Sequence, residues 1–163
     1  HLSREFEARG FSVQTAPTAV TGLRLIKQTR PDMILLDAPC SSTGTIRRHP
    51  DIPWTKSPSD VAKLADLQER MLARALTLVR PGGLVVFSNC SLSREEGEDV
   101  VSAILESHPE VDRRAVEPAL VTGLEEAITA EGDLRTTPDM LHDPDPAYAG
   151  LDGFFASILM RLS

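Results

Sequence analysis

Two short apolar segments restrict the fold of this chain more than any other feature of its sequence. The first runs from Met33 to Leu36 and the second from Leu84 to Phe87, and both consist entirely of large apolar residues. Uninterrupted apolar strands are typical of a parallel sheet that is covered on both faces. Helical patterns alternate with these segments along the chain. We therefore predict a single α/β domain with a doubly wound, parallel or mixed sheet.

Capping signals and apolar periodicity predict the remaining elements. Helices are predicted for residues 2–9, 18–29, 58–79 and 93–107, a β-compatible stretch for 11–15 and a closing strand for 153–159. Ser93 and Glu96 match a capping box for the fourth helix. Residues 118–149 are poorly periodic and rich in proline, glycine and acidic residues, so we predict loops there with one short helix near 124–128. Residues 37–58 form a connection long enough to suggest a functional role, and its Trp54 is predicted to fill the core or to anchor the loop.

Charge and composition limit the classes of function. The 163 residues carry a net charge of −7, which argues against a large basic surface for nucleic acid. A local basic strip stands out, however, because the ten residues 47–56 contain a single acidic residue, Asp51. Its members are Arg47, Arg48, His49 and Lys56, and such a strip can contact a phosphate backbone. No segment has the length of a membrane span, so we expect a cytoplasmic protein.

Both apolar strands run into a loop that contains a cysteine. Cys40 follows the first strand and Cys90 the second, and the chain has no other cysteine. Their spacing suggests neither a disulfide framework nor a metal site. Adjacent parallel strands place their ends on one rim of the sheet, where ligands of such folds sit. From spacing alone, a catalytic pair and two small buried apolar side chains both remain open.

The sequence around the cysteines carries more specific information. Residues 37–51 read DAPCSSTGTIRRHPD, residues 89–92 read NCSL before EEGE, and residues 151–156 read LDGFFA. In this order they resemble the motifs of Fmu/Sun-type bacterial rRNA cytosine-C5 methyltransferases, over roughly residues 33–162. Asn89 departs from the family pattern, in which threonine is commoner. The resemblance implies a Rossmann-like sheet of the S-adenosylmethionine-dependent methyltransferase type.

The resemblance also implies roles for individual residues. Cytosine C5 is a poor nucleophile, and addition of a thiolate at C6 activates it for attack on the methyl group of S-adenosylmethionine. Cys90 maps to the thiol that adds to C6, and Cys40 to the thiol that assists release. Asp37 is expected to hydrogen-bond the ring near N3 and, with Pro39, to contact the cofactor. Contacts with ribosomal RNA are expected from Pro39, Arg47, Arg48, His49 and Lys56.

The cofactor-binding end of this fold is incomplete in the sequence. Methyltransferases of the family carry a glycine-rich turn and an acidic residue that binds the ribose, and neither precedes Asp37. We expect the sheet to be truncated there and to leave a strand edge uncovered. An uncovered edge predicts association with a second copy of the chain.

The N-terminal segment allows two interpretations. Residues 2–37 resemble part of a response-regulator receiver domain, in which Asp37 would be the phosphate acceptor, but residues 1–32 also fit a divergent methyltransferase segment. The alternative to an enzyme is accordingly an inactive fragment or a chimera that acts only as a folded scaffold. Calorimetry with S-adenosylmethionine separates enzyme from scaffold, and labelling of Asp37 by acetyl phosphate tests the receiver interpretation.

Overall fold

The computed structural model describes residues 2–15, 18–145 and 149–163. The five α-helices of this part are α1 Leu2–Ala8, α2 Ala19–Thr29, α3 Ile52–Thr55, α4 Pro58–Leu78 and α5 Glu98–Ser107. Its strands are β1 Met33–Asp37, β2 Leu84–Asn89, β3 Val111–Arg114, β4 Leu134–Thr136 and β5 Phe154–Arg161. Short 3₁₀ turns occur at Thr43–Thr45, Arg94–Glu96, Pro118–Leu120 and Glu125–Ala127.

The strands form one mixed sheet in the order β1-β2-β5-β3, with β4 also paired to β5. β1 and β2 are parallel, with Met33 opposite Leu84 and Asp37 opposite Ser88. β5 runs antiparallel to β2, β3 and β4. The predicted α/β class is confirmed, and the parallel register brings the loops after β1 and β2 to the same edge of the sheet.

Helix α4 supplies much of the core. It begins with Pro58 at its first position, and Ser57 and Asp60 form a capping box there. Leu72 and Val79 are fully buried against Val85 and Phe87 of β2 and against α5. Each such side chain contributes about 1.5–3 kcal/mol through removal from water. Within the described ranges, no helix combines the length and apolar character that crossing a membrane requires.

The two faces of the sheet differ in burial. Side chains directed toward α4 and α5, such as Phe87 and Leu159, are fully buried. Those on the opposite face, such as Val86 and Ile158, are only half-buried, and Leu35 of β1 is 46% exposed. The prediction of a first strand buried on both faces is therefore wrong. β1 is the outermost strand of the described sheet and pairs only with β2.

Several local predictions also differ from the structure. Residues 11–15 form no strand, and Trp54, predicted to pack inward or to anchor its loop, has a side chain that is 89% exposed on α3. Strands β3 and β4 were not predicted, because Val-Asp-Arg-Arg and Leu-Arg-Thr lack an apolar pattern. Both strands are added to β5, so pairing with an already buried strand determines their conformation.

The uncovered edge and face of β1 generate a prediction about association. We expect the chain to self-associate at increasing concentration, and Leu35→Lys to weaken this, because a charge on an edge strand disfavours pairing. Sedimentation velocity over a concentration series measures the effect. Ala62→Lys, at an exposed position of α4, adds the same charge elsewhere and should change nothing. A monomeric wild-type chain at all concentrations would contradict the prediction.

Candidate active site

The two cysteines lie side by side at the edge where β1 and β2 end. Their Sγ atoms are 3.5 Å apart, and both side chains are half-buried. The Ala38 N–H donates to the Ser88 carbonyl oxygen at 2.8 Å, so the pairing of the two strands continues into the cysteine loops. The proximity predicted from the strand ends is confirmed.

A close backbone approach at Gly44 joins the two loops. The Gly44 N–H donates to the Cys90 carbonyl oxygen at 2.9 Å, and the Gly44 carbonyl accepts from the Gly153 N–H at 2.8 Å. A Cβ atom at Gly44 would lie 2.0 Å from the Gly153 carbonyl oxygen. Only glycine fits here, because any side chain would separate the cysteine loops from each other and from the start of β5.

A buried carboxylate, Glu96, forms a second link between the loops. Its side chain is fully buried and accepts hydrogen bonds from the Ser41 N–H at 2.8 Å, from the Ser41 hydroxyl and from the Ser91 hydroxyl at 2.6 Å. Gln68 of α4 donates to the same carboxylate at 3.1 Å. Among the described residues, Glu96 takes part in no salt bridge.

The Glu96 contacts correct the predicted capping box. Ser93 makes no cap hydrogen bond to the first turn that follows it, and α5 begins only at Glu98. The Ser93 hydroxyl instead donates to Glu95, while Glu96 points inward. The sequence pattern was ambiguous because an acidic residue three positions after a serine also fits a cap. A signal for the inward orientation was the pair of serines that follow the cysteines, Ser41 and Ser91, because buried hydroxyls need partners.

The environment of Cys40 favours its protonated form. The pKa of the Cys40 thiol is raised to about 11 from an ordinary value of 9.0. Burial is the main cause and the neighbouring Cys90 side chain contributes, whereas backbone hydrogen bonds from Ser42 and Cys90 oppose the shift. Cys40 is therefore a thiol near neutral pH. At 3.5 Å its S–H can donate to the sulfur of Cys90 when that group is a thiolate.

An open cleft of about 460 Å³ lies beside Cys90. Three of the residues predicted for the site line it, namely Cys90, His49 and Lys56. The remaining lining residues are Ser41, Ser42, Thr45, Asp51, Ile52 and Thr55. A thiol, two basic side chains, one carboxylate and several hydroxyls thus surround one open, polar space.

Arg47 and Arg48, which are predicted to contact RNA, form hydrogen bonds within the fold. Neither lines the cleft. Arg47 donates to the Gly150 carbonyl oxygen at 2.9 Å, and Arg48 forms a salt bridge with Asp152. Both arginines thereby hold the loop after β1 against the segment that leads into β5. Both side chains remain exposed, and their contact with RNA stays a prediction.

Asp37 and Pro39 lie at the outer end of the site. Asp37 ends β1 and is exposed, and its carboxylate has no hydrogen-bond or salt-bridge partner within the part of the chain that the structure describes. The Pro39 carbonyl accepts from Gln68 at 2.8 Å. The described sheet ends at β1, and no glycine-rich turn or further strand lies beyond it.

The raised pKa of Cys40 predicts its reactivity. In a Cys90→Ser variant, alkylation of Cys40 by iodoacetamide should still accelerate only above pH 9, with a midpoint above the ordinary value of 9.0, because burial keeps the proton on sulfur. The free energy of unfolding should fall across the same interval, since the unfolded state releases this proton first. Mass spectrometry measures the alkylation, and circular dichroism confirms folding at each pH. A midpoint at or below 9.0 would contradict the assignment.

Comparison with known proteins identifies the family to which the chain is similar. Residues 13–160 match the profile of the 16S rRNA methyltransferase RsmB/F family. Ribosomal RNA small subunit methyltransferase B of Thermus thermophilus is 38% identical over 137 residues, which are 82% of this chain and 30% of that protein. The probable ribosomal RNA small subunit methyltransferase B of Bacillus subtilis is 38% identical over 127 residues, or 76% and 26% of the two chains. The chain thus spans less than a third of these curated relatives.

Solved structures agree with this comparison. A methyltransferase homolog from Pyrococcus horikoshii matches with a TM-score of 0.60 and 30% identity, over 86% of this chain and 43% of that one. NSun6 from the same organism, solved with SFG, has a TM-score of 0.60 and 22% identity over 93% and 34% of the two chains, and it shows the shared fold alone. The profile match includes α2, which favours the methyltransferase interpretation of this segment over the receiver interpretation. The chain belongs to the 16S rRNA methyltransferase RsmB/F family.

Proposed function

We propose that this chain carries the thiol half of an active site that methylates a cytosine of ribosomal RNA at C5. The observation that supports this most directly is the pair of cysteine sulfurs 3.5 Å apart, at the rim of the sheet. Cys90 lines the adjoining cleft, and the chain belongs to a family of 16S rRNA methyltransferases. S-adenosylmethionine is the methyl donor that we expect, and its binding requires residues beyond those described.

Cys90 acts as the nucleophile in this proposal. Its thiolate adds to C6 of the ring, the C5=C6 double bond breaks, and the electron pair makes C5 nucleophilic. Asp37 would hold the ring near N3, where a proton offsets the charge that develops during attack. After C5 has taken the methyl group and S-adenosylhomocysteine has left, solvent water accepts the C5 proton. The C5=C6 double bond then forms again, and the C6–S bond breaks with its electron pair returning to the Cys90 sulfur.

Cys40 assists the last of these steps. Because Cys40 remains a thiol at neutral pH, its S–H can donate a hydrogen bond to the Cys90 sulfur as that sulfur leaves as a thiolate. A leaving group that is stabilised in this way departs faster. Loss of Cys40 should therefore slow release more than it slows attack.

His49 and Lys56 complete the proposed substrate site. Both line the cleft beside Cys90 and are exposed, so they can reach a phosphate next to the target nucleotide. The net charge of −7 implies that these contacts orient the RNA, while most of the affinity comes from elsewhere.

The roles of the cysteines can be tested by trapping. This chain would replace the matching segment of the Thermus thermophilus relative, and adducts with target RNA would be measured by denaturing electrophoresis. Cys90→Ala should abolish both methylation and adduct. Cys40→Ala should accumulate adduct, because attack proceeds while release is impaired. Ser102→Ala, at an exposed position of α5, is the matched control. An active Cys90→Ala variant without adduct in Cys40→Ala would reverse the proposal.

The 163-residue chain alone should not bind S-adenosylmethionine appreciably and should not methylate RNA. Recognition of the cofactor needs backbone N–H groups of a glycine-rich turn and an acidic group on the ribose. Every ~1.4 kcal/mol of missing contact weakens binding about tenfold. Isothermal titration calorimetry is the measurement. Micromolar affinity would contradict the prediction and would locate a cofactor site among residues 1–36.

A further inference from the structure

We propose that Glu96 is a positioning residue whose carboxylate holds the two catalytic cysteines at the separation that the chemistry needs. The inference rests on the proposed roles of Cys40 and Cys90. Glu96 does not touch either sulfur. It acts through Ser41 and Ser91, the residues that directly follow the two cysteines.

Each of the two carboxylate oxygens accepts two hydrogen bonds. Oε1 accepts from the Ser41 N–H at 2.8 Å and from Gln68 at 3.1 Å. Oε2 accepts from the Ser41 hydroxyl and from the Ser91 hydroxyl at 2.6 Å. A single rigid group is therefore bonded to both cysteine loops at once. It is also bonded to α4, the helix that packs against the core of the sheet.

The anchoring continues on either side of the cysteines. Gln68 also donates to the Pro39 carbonyl oxygen at 2.8 Å, so the residues before and after Cys40 are both fixed. The Ser91 N–H donates to the Asn89 side chain at 3.0 Å, and the Asn89 amide donates to the Glu96 carbonyl at 2.5 Å. Both cysteine loops are consequently restrained from two directions, with Glu96 as the group that they share.

The chemistry of the site favours a carboxylate at this position. Two of the four donors, the Ser41 N–H and the NH2 group of Gln68, can only donate, and an ionised carboxylate only accepts. Serine hydroxyls bound to a charged acceptor make shorter and stronger hydrogen bonds than those bound to a neutral one. Glu96→Gln keeps the shape of the side chain but removes the charge and replaces one acceptor by a donor. It should loosen the loops without leaving a cavity.

The test measures the separation of the thiols without RNA or methyl donor. The chain is equilibrated with glutathione and glutathione disulfide, and the fraction with a Cys40–Cys90 disulfide is determined by mass spectrometry. In this exchange the two protein thiols lose two electrons and two protons, and glutathione disulfide is reduced to two glutathione molecules. The equilibrium constant equals the effective concentration of one thiol at the other. Cys40→Ala, which cannot form the disulfide, sets the background.

We expect Glu96→Gln to lower this effective concentration about tenfold and Glu96→Ala to lower it further. Glu95→Gln, next in the chain but exposed and bonded only to Ser93, should leave it within twofold of wild type. Urea unfolding, followed by circular dichroism, establishes that each variant is folded under the conditions of the exchange. If Glu96 contributed to stability alone, its variants would unfold at a lower urea concentration. The effective concentration of one thiol at the other, measured in folded molecules, would then be unchanged.

An unchanged effective concentration in folded Glu96→Gln would therefore overturn the inference. The result is independent of the proposed function, because neither substrate takes part. A tenfold fall in Glu96→Gln, together with a Cys90 that forms no RNA adduct, would support the positioning role and remove the proposed catalysis.

Discussion

The parallel pairing of β1 with β2 is the constraint on which the rest of the site depends. Two strands of five and six residues end at the same edge of the sheet, and each passes directly into a cysteine loop. Without this register, Cys40 and Cys90, which are fifty positions apart in the chain, would not be brought together. The core under α4 and α5 fixes β2, and β2 in turn fixes β1, which has no other strand beside it in the described sheet.

Strand pairing alone brings the loops close but does not set the distance between the sulfurs. Loops after strand ends have many accessible conformations, and ordering each residue costs about 1–2 kcal/mol. Two devices of different chemistry offset this cost here. Gly44 allows close backbone contact, and Glu96 accepts hydrogen bonds from Ser41 and Ser91 where all three side chains are fully buried. A hydrogen bond in such a buried environment is stronger than the same bond at the surface, so the restraint is large for few residues.

The sequence predicted the strands and the helix around the site better than the long-range polar contacts that hold its loops. Apolar runs and capping signals located β1, β2 and α4, and the strand-end rule placed Cys40 beside Cys90. Those patterns report local conformation and the face that a side chain presents. They do not report long-range polar pairing, which is why Glu96 looked like a helix cap and Arg48 like a free cation. β3 and β4 were likewise not predicted, because their conformation comes from pairing with β5 and not from a local pattern.

The use of Arg47 and Arg48 within the fold also changes the electrostatics of the cleft. Of the four basic side chains in the strip, two are bonded to residues 150 and 152, which leaves His49 and Lys56 beside Cys90. Asp51 lines the same cleft and offsets part of their charge. Attraction to a polyanion depends on the number of phosphates that are neutralised, and two contacts give weak, salt-sensitive binding. A site of this composition is suited to orient a nucleotide that other surfaces have captured, and the rigidity that Gly44 and Glu96 provide serves that purpose better than additional positive charge would.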